Sequence, residues 1–187
     1  MDLKEAVSKR HTTHRFCEYT PSEAIDTRAL LELALSVPNH HKTKPWKILA
    51  PAMEVRKSLY SIAVERYLDK TQKKSLDDAD EAKLFAKYTA PKEVYIFVNK
   101  LSGDKTLDKE NYATQCCSVY AFSLLLAAEN LESKWSTGWW CKSQKVFEAL
   151  TLNKDLEEIV AVLWVGQSKV KNTVKADLNL NDYLVEL

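Results

Sequence analysis

Arg10, His11, His14 and Arg15 fall within seven residues, Arg10–Phe16, RHTTHRF, with Thr12 and Thr13 among them. Guanidinium and hydroxyl donors together suit an anion such as a phosphate, because the guanidinium fork matches its oxygens. The same run also reads as an ordinary solvated turn. A second cluster is the loop Val37–Trp46, VPNHHKTKPW, which holds His40, His41, Lys42 and Lys44. Pro38 and Pro45 bracket it, and each disfavours helix at the residue before it. A metal site drawn from His11, His14, Cys17, His40 and His41 is conceivable. Its H-x-x-H-x-x-C spacing has no firm helix beneath it, so no metal ligand is assigned. No Ser/His/Asp or Cys/His arrangement stands out, and no catalytic side chain is assigned.

These clusters need a frame, and the frame centres on Asn111–Leu131, NYATQCCSVYAFSLLLAAENL. Ala113, Cys116, Cys117, Tyr120, Leu124, Ala127, Ala128 and Leu131 recur at spacings of three and four, one face of a helix. Val119, Phe122 and Leu125 form a second apolar face. A helix apolar on most sides is buried on most sides, by its own chain or by a partner. Thiols on such a helix are usually inert. Its unbroken apolar part is shorter than the ~20 residues a bilayer needs.

Around it, Leu3–Lys9 reads as a short helix. Thr20-Pro21-Ser22-Glu23 is a capping box with proline at the first helical position. It predicts a helix through about Ser36 with Leu30, Leu31, Ala34 and Leu35 inward. Trp46–Leu49 reads as a strand and Glu54–Leu68 as a helix. Asp69–Asp80, DKTQKKSLDDAD, is the most polar stretch and reads as a mobile excursion. A helix over about Glu81–Tyr88 follows. Val94–Val98 and Glu158–Gly166 are continuous apolar runs, the signature of strands covered on both faces. Ser133–Gly138 reads as a short strand ending in a turn, and Ser143–Ala149 as a helix. Residues 167–187 read as a C-terminal arm, frayed or docked. A few buried strands set among many helices read as one domain over residues 1–187, of α+β or mixed α/β layer architecture.

Composition narrows the function. A formal net charge of +1 offers no field for nucleic acid or anionic lipid. The start, MDLKEAVSKR, reads as too charged for a signal peptide. Four cysteines without C-x-x-C spacing read as reduced thiols of a cytoplasmic protein. Three glycines leave no room for a Gly-rich phosphate loop.

The order of the segments resembles the FMN-dependent nitroreductase family, in particular its short members. Arg10-His11-Thr12 looks like the family's R-[RH]-S turn. Pro38 to Trp46 looks like its A-P-S-x-x-N-x-Q-P-W loop. The central helix running into Trp135-Ser136-Thr137-Gly138 looks like its flavin-facing segment. Glu158–Gly166 and Lys171 look like its last core strand and the basic residue beyond. The resemblance runs nearly the full length of the chain.

It implies a nitroreductase-like α+β fold, a central mixed or antiparallel sheet surrounded by helices, in a homodimer with FMN at the subunit interface. Arg10, Thr12 and Lys171 would bind the FMN phosphate, with His11 beside them. Ser36 and His40 would touch the flavin, and Trp135, Ser136, Thr137 and Gly138 would run along it. His14 stands where many members have Lys or Arg near the flavin ring. Lys42 and Lys44 stand where the family has Asn and Gln, and Val37 replaces its alanine. The implied activity is hydride transfer from NAD(P)H through flavin N5 to a nitroaromatic or quinone acceptor, in ping-pong order. The alternatives are a related flavin enzyme such as a dehalogenase or a flavin-degrading enzyme, a flavin-binding protein without turnover, and a helical interaction module.

Overall fold

A computed structural model of the chain describes residues 2–17, 25–168 and 178–185. Four strands form one sheet: β1 (Trp46–Leu49), β2 (Glu93–Lys100), β3 (Glu132–Ser136) and β4 (Glu157–Gly166). Their spatial order is β1-β2-β4-β3, and every pairing is antiparallel. The six α-helices described are α1 (Leu3–Lys9), α2 (Thr27–Ala34), α3 (Met53–Thr71), α4 (Asp78–Thr89), α5 (Lys105–Ala128) and α6 (Gln144–Ala149). None is long and apolar enough to cross a membrane.

The sheet is a middle layer, which is why β2 and β4 are apolar at nearly every position. One face carries Val94, Ile96, Val98, Ile159, Val162 and Trp164, packed with Leu59 and Ala63 of α3, Tyr88 of α4, and Val146 and Phe147 of α6. The other carries Tyr95, Phe97, Ala161, Leu163 and Val165, against Ala34 of α2 and Val119, Phe122 and Leu126 of α5. The register slips between Phe97 and Val98, which pair with Ala161 and Ile159. Val160 is thus the extra residue of a bulge, and it joins its neighbour Ala161 on the α5 side.

Arg56 ties one covering layer together. It is 4 % exposed. Its guanidinium donates to the carbonyls of Tyr88 at 2.8 Å and Pro91 at 2.7 Å, with longer contacts to those of Thr89 and Lys92. These carbonyls lie at the end of α4, where the helix leaves acceptors unpaired and its dipole is negative. Burial lowers the Arg56 pKa from its ordinary value.

Several expectations change. The central helix starts at Lys105, six residues before Asn111, because the Asp104 carboxylate caps it by accepting from Thr106 and Leu107 N–H groups. Its buried face is also different. Asn111, Thr114, Gln115, Ser118, Val119, Phe122, Ser123 and Leu126 face the sheet and the loop before β1. Ala113, Cys117 and Tyr120, expected inside, are exposed. The sheet takes the side with slender polar groups that can bond locally: Ser118 and Ser123 donate to carbonyls one turn back, and Gln115 Nε2 donates to Val98 O at 2.9 Å.

The polar excursion is mostly helix. α3 continues to Thr71 and α4 begins at Asp78, so only a short turn separates them. Lys73 bridges Asp77 at 3.2 Å and Asp80 at 2.7 Å, and Tyr67 donates its hydroxyl to Asp80 at 2.6 Å. The Asp77 carboxylate caps α4. The capping box at Thr20–Glu23 lies outside the described residues. The described helix there starts at Thr27 under an Asp26 cap and stops at Ala34, short of Ser36. In the C-terminal arm, Leu178, Leu180, Tyr183, Leu184 and Val185 are exposed around a 3-10 turn.

Candidate functional site

The turn after α1 lies along the outer edge of β3. Thr13 N–H donates to Ser133 O at 3.1 Å, Thr12 bridges Ser133 in parallel, and Cys17 N–H donates to Gln167 O at 2.9 Å. Arg10 is the residue that ends α1, its N–H donating to Ala6 O. Its guanidinium carbon stands 5.9 Å from the centre of the Tyr120 ring. Arg10 Nε is buried without a hydrogen-bond partner. A buried donor of this kind is costly, and an anion would satisfy it. His11 is held within the turn: its Nδ1 lies 3.0 Å from Lys9 O, and its Nε2 lies 3.8 Å from Glu132 Oε2. The Thr13 hydroxyl donates to the same Glu132 oxygen at 2.5 Å. His14 is exposed.

The loop before β1 is fastened to the first half of α5. Thr114 Oγ1 donates to Pro38 O at 3.2 Å, and Trp46 Nε1 donates to Ser118 Oγ at 2.9 Å. Lys44 N–H donates to Asn39 Oδ1, Asn39 Nδ2 to Thr43 Oγ1, and Thr43 Oγ1 to Asn111 Oδ1. His41, Lys42 and Lys44 all have positive φ, at 57°, 52° and 50°. Three such residues in one loop are unusual for side chains larger than glycine. Ser36, His40, Lys42 and Lys44 are exposed. His40 Nδ1 lies 2.9 Å from Glu110 Oε2.

The third segment leaves β3. Trp135 packs against the α5 side of the core. Ser136 Oγ accepts from Trp164 Nε1 at 3.2 Å, and Thr137 is exposed. Gly138 turns the chain at φ 95° and ψ −131°, a conformation reserved for glycine.

α5 therefore collects all three segments, with Asn111 to Ser118 under the loop and Tyr120 under the Arg10 turn. Asn111 and Tyr120 are about 14 Å apart along the helix. Lys171 lies outside the described residues. The five residues His11, His14, Cys17, His40 and His41, from which no metal site is assigned, do not come together: among the described residues, His40 and His41 meet Glu110 instead. Glu110, Asn39, Asn111, Tyr120 and Glu132 are the residues that sequence reasoning missed. Only Asn39 carries a local signal, as a turn-forming side chain beside proline.

Cys116 is half-buried and Cys117 exposed, so the second of the pair is not the buried thiol expected. Burial raises the Cys116 pKa; burial and then the Glu158 charge raise that of Cys141.

A cleft of about 500 Å³ lies at the opposite end of β2, beside Thr27, Arg56, Glu93 and Tyr95. Its polar groups answer one another: the Glu93 carboxylate accepts from the hydroxyls of Thr27 and Tyr95. This is a structural junction between α2 and the sheet, remote from the loop before β1.

The fold is shared with solved structures. A nitroreductase-like family protein from Bacillus cereus is 18 % identical with a TM-score of 0.80, over 100 % of this chain and 96 % of that one. An FMN and NADPH-dependent nitroreductase from Sphigopyxis sp. strain HMH is 14 % identical with a TM-score of 0.70, over 100 % and 99 %. A nitroreductase in complex with FMN from Desulfovibrio desulfuricans is 15 % identical with a TM-score of 0.73, over 100 % and 97 %. No curated protein matches the sequence. The profile of the Nitroreductase family matches residues 7–167, a span that takes in the Arg10 turn, the loop before β1 and the whole sheet. The fold is nitroreductase-like, and the chain belongs to the nitroreductase family.

Proposed function

We propose that the protein is an FMN-dependent oxidoreductase that uses NAD(P)H to reduce an electron-poor acceptor of nitroaromatic or quinone type. The observation that carries this reading is the Arg10 guanidinium, with a buried Nε that lacks a partner, on a turn within the family match. The Sphigopyxis and Desulfovibrio relatives, whose folds match this chain throughout, are FMN proteins by description, which supports the cofactor.

When bound, FMN would supply hydride-transfer chemistry at N5, with NAD(P)H as the reductant and the electron-poor acceptor as the oxidant in a ping-pong cycle. Arg10 and Thr12 hold the phosphate, with Lys171 as a further cation. His11 braces the turn against Glu132. Ser36, His40, Lys42 and Lys44 present the loop to the flavin, and His14 adds a titratable group near the ring. Trp135, Ser136, Thr137 and Gly138 form the wall that the flavin runs along. No side chain is required as a general acid.

A homodimer is part of this proposal. Tyr120 is 43 % exposed on an α5 face that also presents Ala113 and Cys117, and the arm presents Leu178, Leu180 and Tyr183. Such surface on one chain calls for cover. The four free thiols suit the cytoplasm.

The test is release of the cofactor by gentle denaturation and its identification by absorbance and mass. FMN is expected, and NAD(P)H should bleach the yellow protein anaerobically, with colour restored by a quinone. FAD, or a colourless chain that fails to take up FMN, overturns the reading. FMN without bleaching leaves a flavin-binding protein and removes the enzyme. Sedimentation should give a dimer at micromolar concentration, and deletion beyond Thr173 should weaken it.

A further inference from the structure

We propose that His40, His41 and Glu110 form a binding site for one divalent transition-metal ion of the zinc class, a site that does not depend on the flavin reading. One ligand atom from each residue lies within 4.8 Å of the other two. Ligands bonded to a single zinc ion at 2.0–2.1 Å stand about 3.3 Å apart in a tetrahedron. His40 Nδ1 and Glu110 Oε2, at 2.9 Å, are already close to that spacing. The third ligand needs a side-chain shift of an ångström or so.

The backbone is shaped to make this meeting possible. Neighbouring side chains in extended chain point to opposite sides. Here His41 adopts φ 57° and ψ 6°, and the two imidazoles come together with ring centres 3.9 Å apart. The loop that carries them is held over α5 by Thr43 on Asn111 and by Thr114 on Pro38. Asn111 is the residue after Glu110, so the bond that anchors the loop also sets His40 above the carboxylate.

The donor set selects the ion. Two imidazole nitrogens with one carboxylate oxygen suit zinc, copper or nickel, whereas magnesium and calcium prefer oxygen ligands throughout. Three protein ligands leave a fourth position for water, the pattern of a site open to exogenous ligands. His40 and His41 are exposed, so an ion can enter from solvent. Ordinary pairing of His40 with Glu110 is the competing account, and it gives His41 no part.

The test is equilibrium dialysis of the purified protein against Zn²⁺ in the presence of a competing chelator, with the same measurement on His41→Ala, Glu110→Gln and the double variant. One zinc per chain is expected, with affinity falling by about tenfold or more in each single variant. Circular dichroism checks that the variants remain folded. With Cu²⁺, electron paramagnetic resonance should show two coupled imidazole nitrogens, reduced to one in His41→Ala. Equal zinc affinity in wild type and double variant overturns the proposal. So does binding that survives the double variant and disappears in Cys117→Ser, which would place the ion on thiols. Absence of stoichiometric binding at about 100 μM Zn²⁺ overturns it too.

Discussion

The Thr43 hydroxyl donates to Asn111 Oδ1 at 2.6 Å, and this bond closes the chain of contacts that holds the loop before β1 on α5. The loop needs a clamp, since each left-handed residue other than glycine costs about 1–3 kcal/mol. Thr43→Val should leave the Asn111 acceptor unpaired at a site only 5 % exposed, costing about 1–3 kcal/mol. Urea unfolding reads that loss, and flavin titration should show weaker FMN binding in the folded variant. Unchanged stability would mean that the clamp contributes nothing.

Arg10→Ala should remove a charge-assisted contact to the FMN phosphate of about 1.5–3 kcal/mol, or one to two decades in affinity. Arg10→Lys should recover part of it, since a point charge replaces the planar fork. Fluorescence quenching of added FMN measures both. Full affinity in Arg10→Ala would move the phosphate elsewhere.

Lys42 and Lys44 bear on the flavin's potential. Reduced flavin carries negative charge at its pyrimidine edge, and an ammonium ~4 Å away attracts it by roughly 1–4 kcal/mol depending on the surroundings. At least one of Lys42→Met and Lys44→Met should therefore lower the midpoint potential by about 30 mV or more, the equivalent of ~1.4 kcal/mol for two electrons. The measurement is a reductive titration at fixed pH and salt. Two variants with the wild-type potential and bound FMN would make both side chains bystanders.

Arg56→Met should destabilise the fold without touching the flavin site. Its two short bonds to Tyr88 and Pro91 carbonyls each contribute about 1.5–3 kcal/mol, so a loss of roughly 3–6 kcal/mol is expected. Arg56→Lys should rescue little, because one ammonium cannot reach carbonyls spread over several residues. Chemical denaturation of the three proteins decides it, and the folded fraction of each should bind FMN in the wild-type ratio.

Glu158 should make stability fall with rising pH. It pairs across the sheet with Asn99, which is 1 % exposed and has both amide atoms unpartnered. Burial, then the charge of Asp108, raises the Glu158 carboxyl above its usual 4.5. The folded chain thus holds the proton more firmly than the unfolded one. Its ionisation costs nothing below about pH 4, and the cost grows as pH rises from the unfolded value through the folded one. Glu158→Gln should therefore gain stability relative to wild type at pH 8 and lose that advantage at pH 4. Denaturation at the two pH values checks the difference; an equal offset at both would exclude this origin.

Sequence pattern read well where burial is one-sided or complete. Trp46–Leu49 has the predicted bounds, and the apolar runs at Val94 and Glu158 are the central strands. It read poorly where polar residues do structural work. Leu101–Lys109 reads as loop by composition, yet Asp104 turns the part from Lys105 onward into the first turns of α5. Lys73, Asp77 and Asp80 look solvated, yet they bind one another across a tight connection. On α5 the most apolar face was expected inside, and the sheet instead covers the face with serines and Gln115. In the candidate site, Arg10 and the histidine-rich loop were visible as clusters. The Arg10 turn's partners Tyr120 and Glu132 lie over one hundred residues further along the chain, and the loop's partners Glu110 and Asn111 about seventy, all beyond the reach of any local pattern.

The turn that carries Arg10 also acts as a guard rail for the sheet. By bridging Ser133, Thr12 and Thr13 occupy hydrogen-bonding groups on the outer side of β3 that would otherwise template a strand from another molecule. The other rim, β1, is only four residues long and offers little to pair with. A chain clipped before residue 14 would lose α1 with its buried Ala6 and would also present bare backbone beside Trp135, a template for a strand from another molecule.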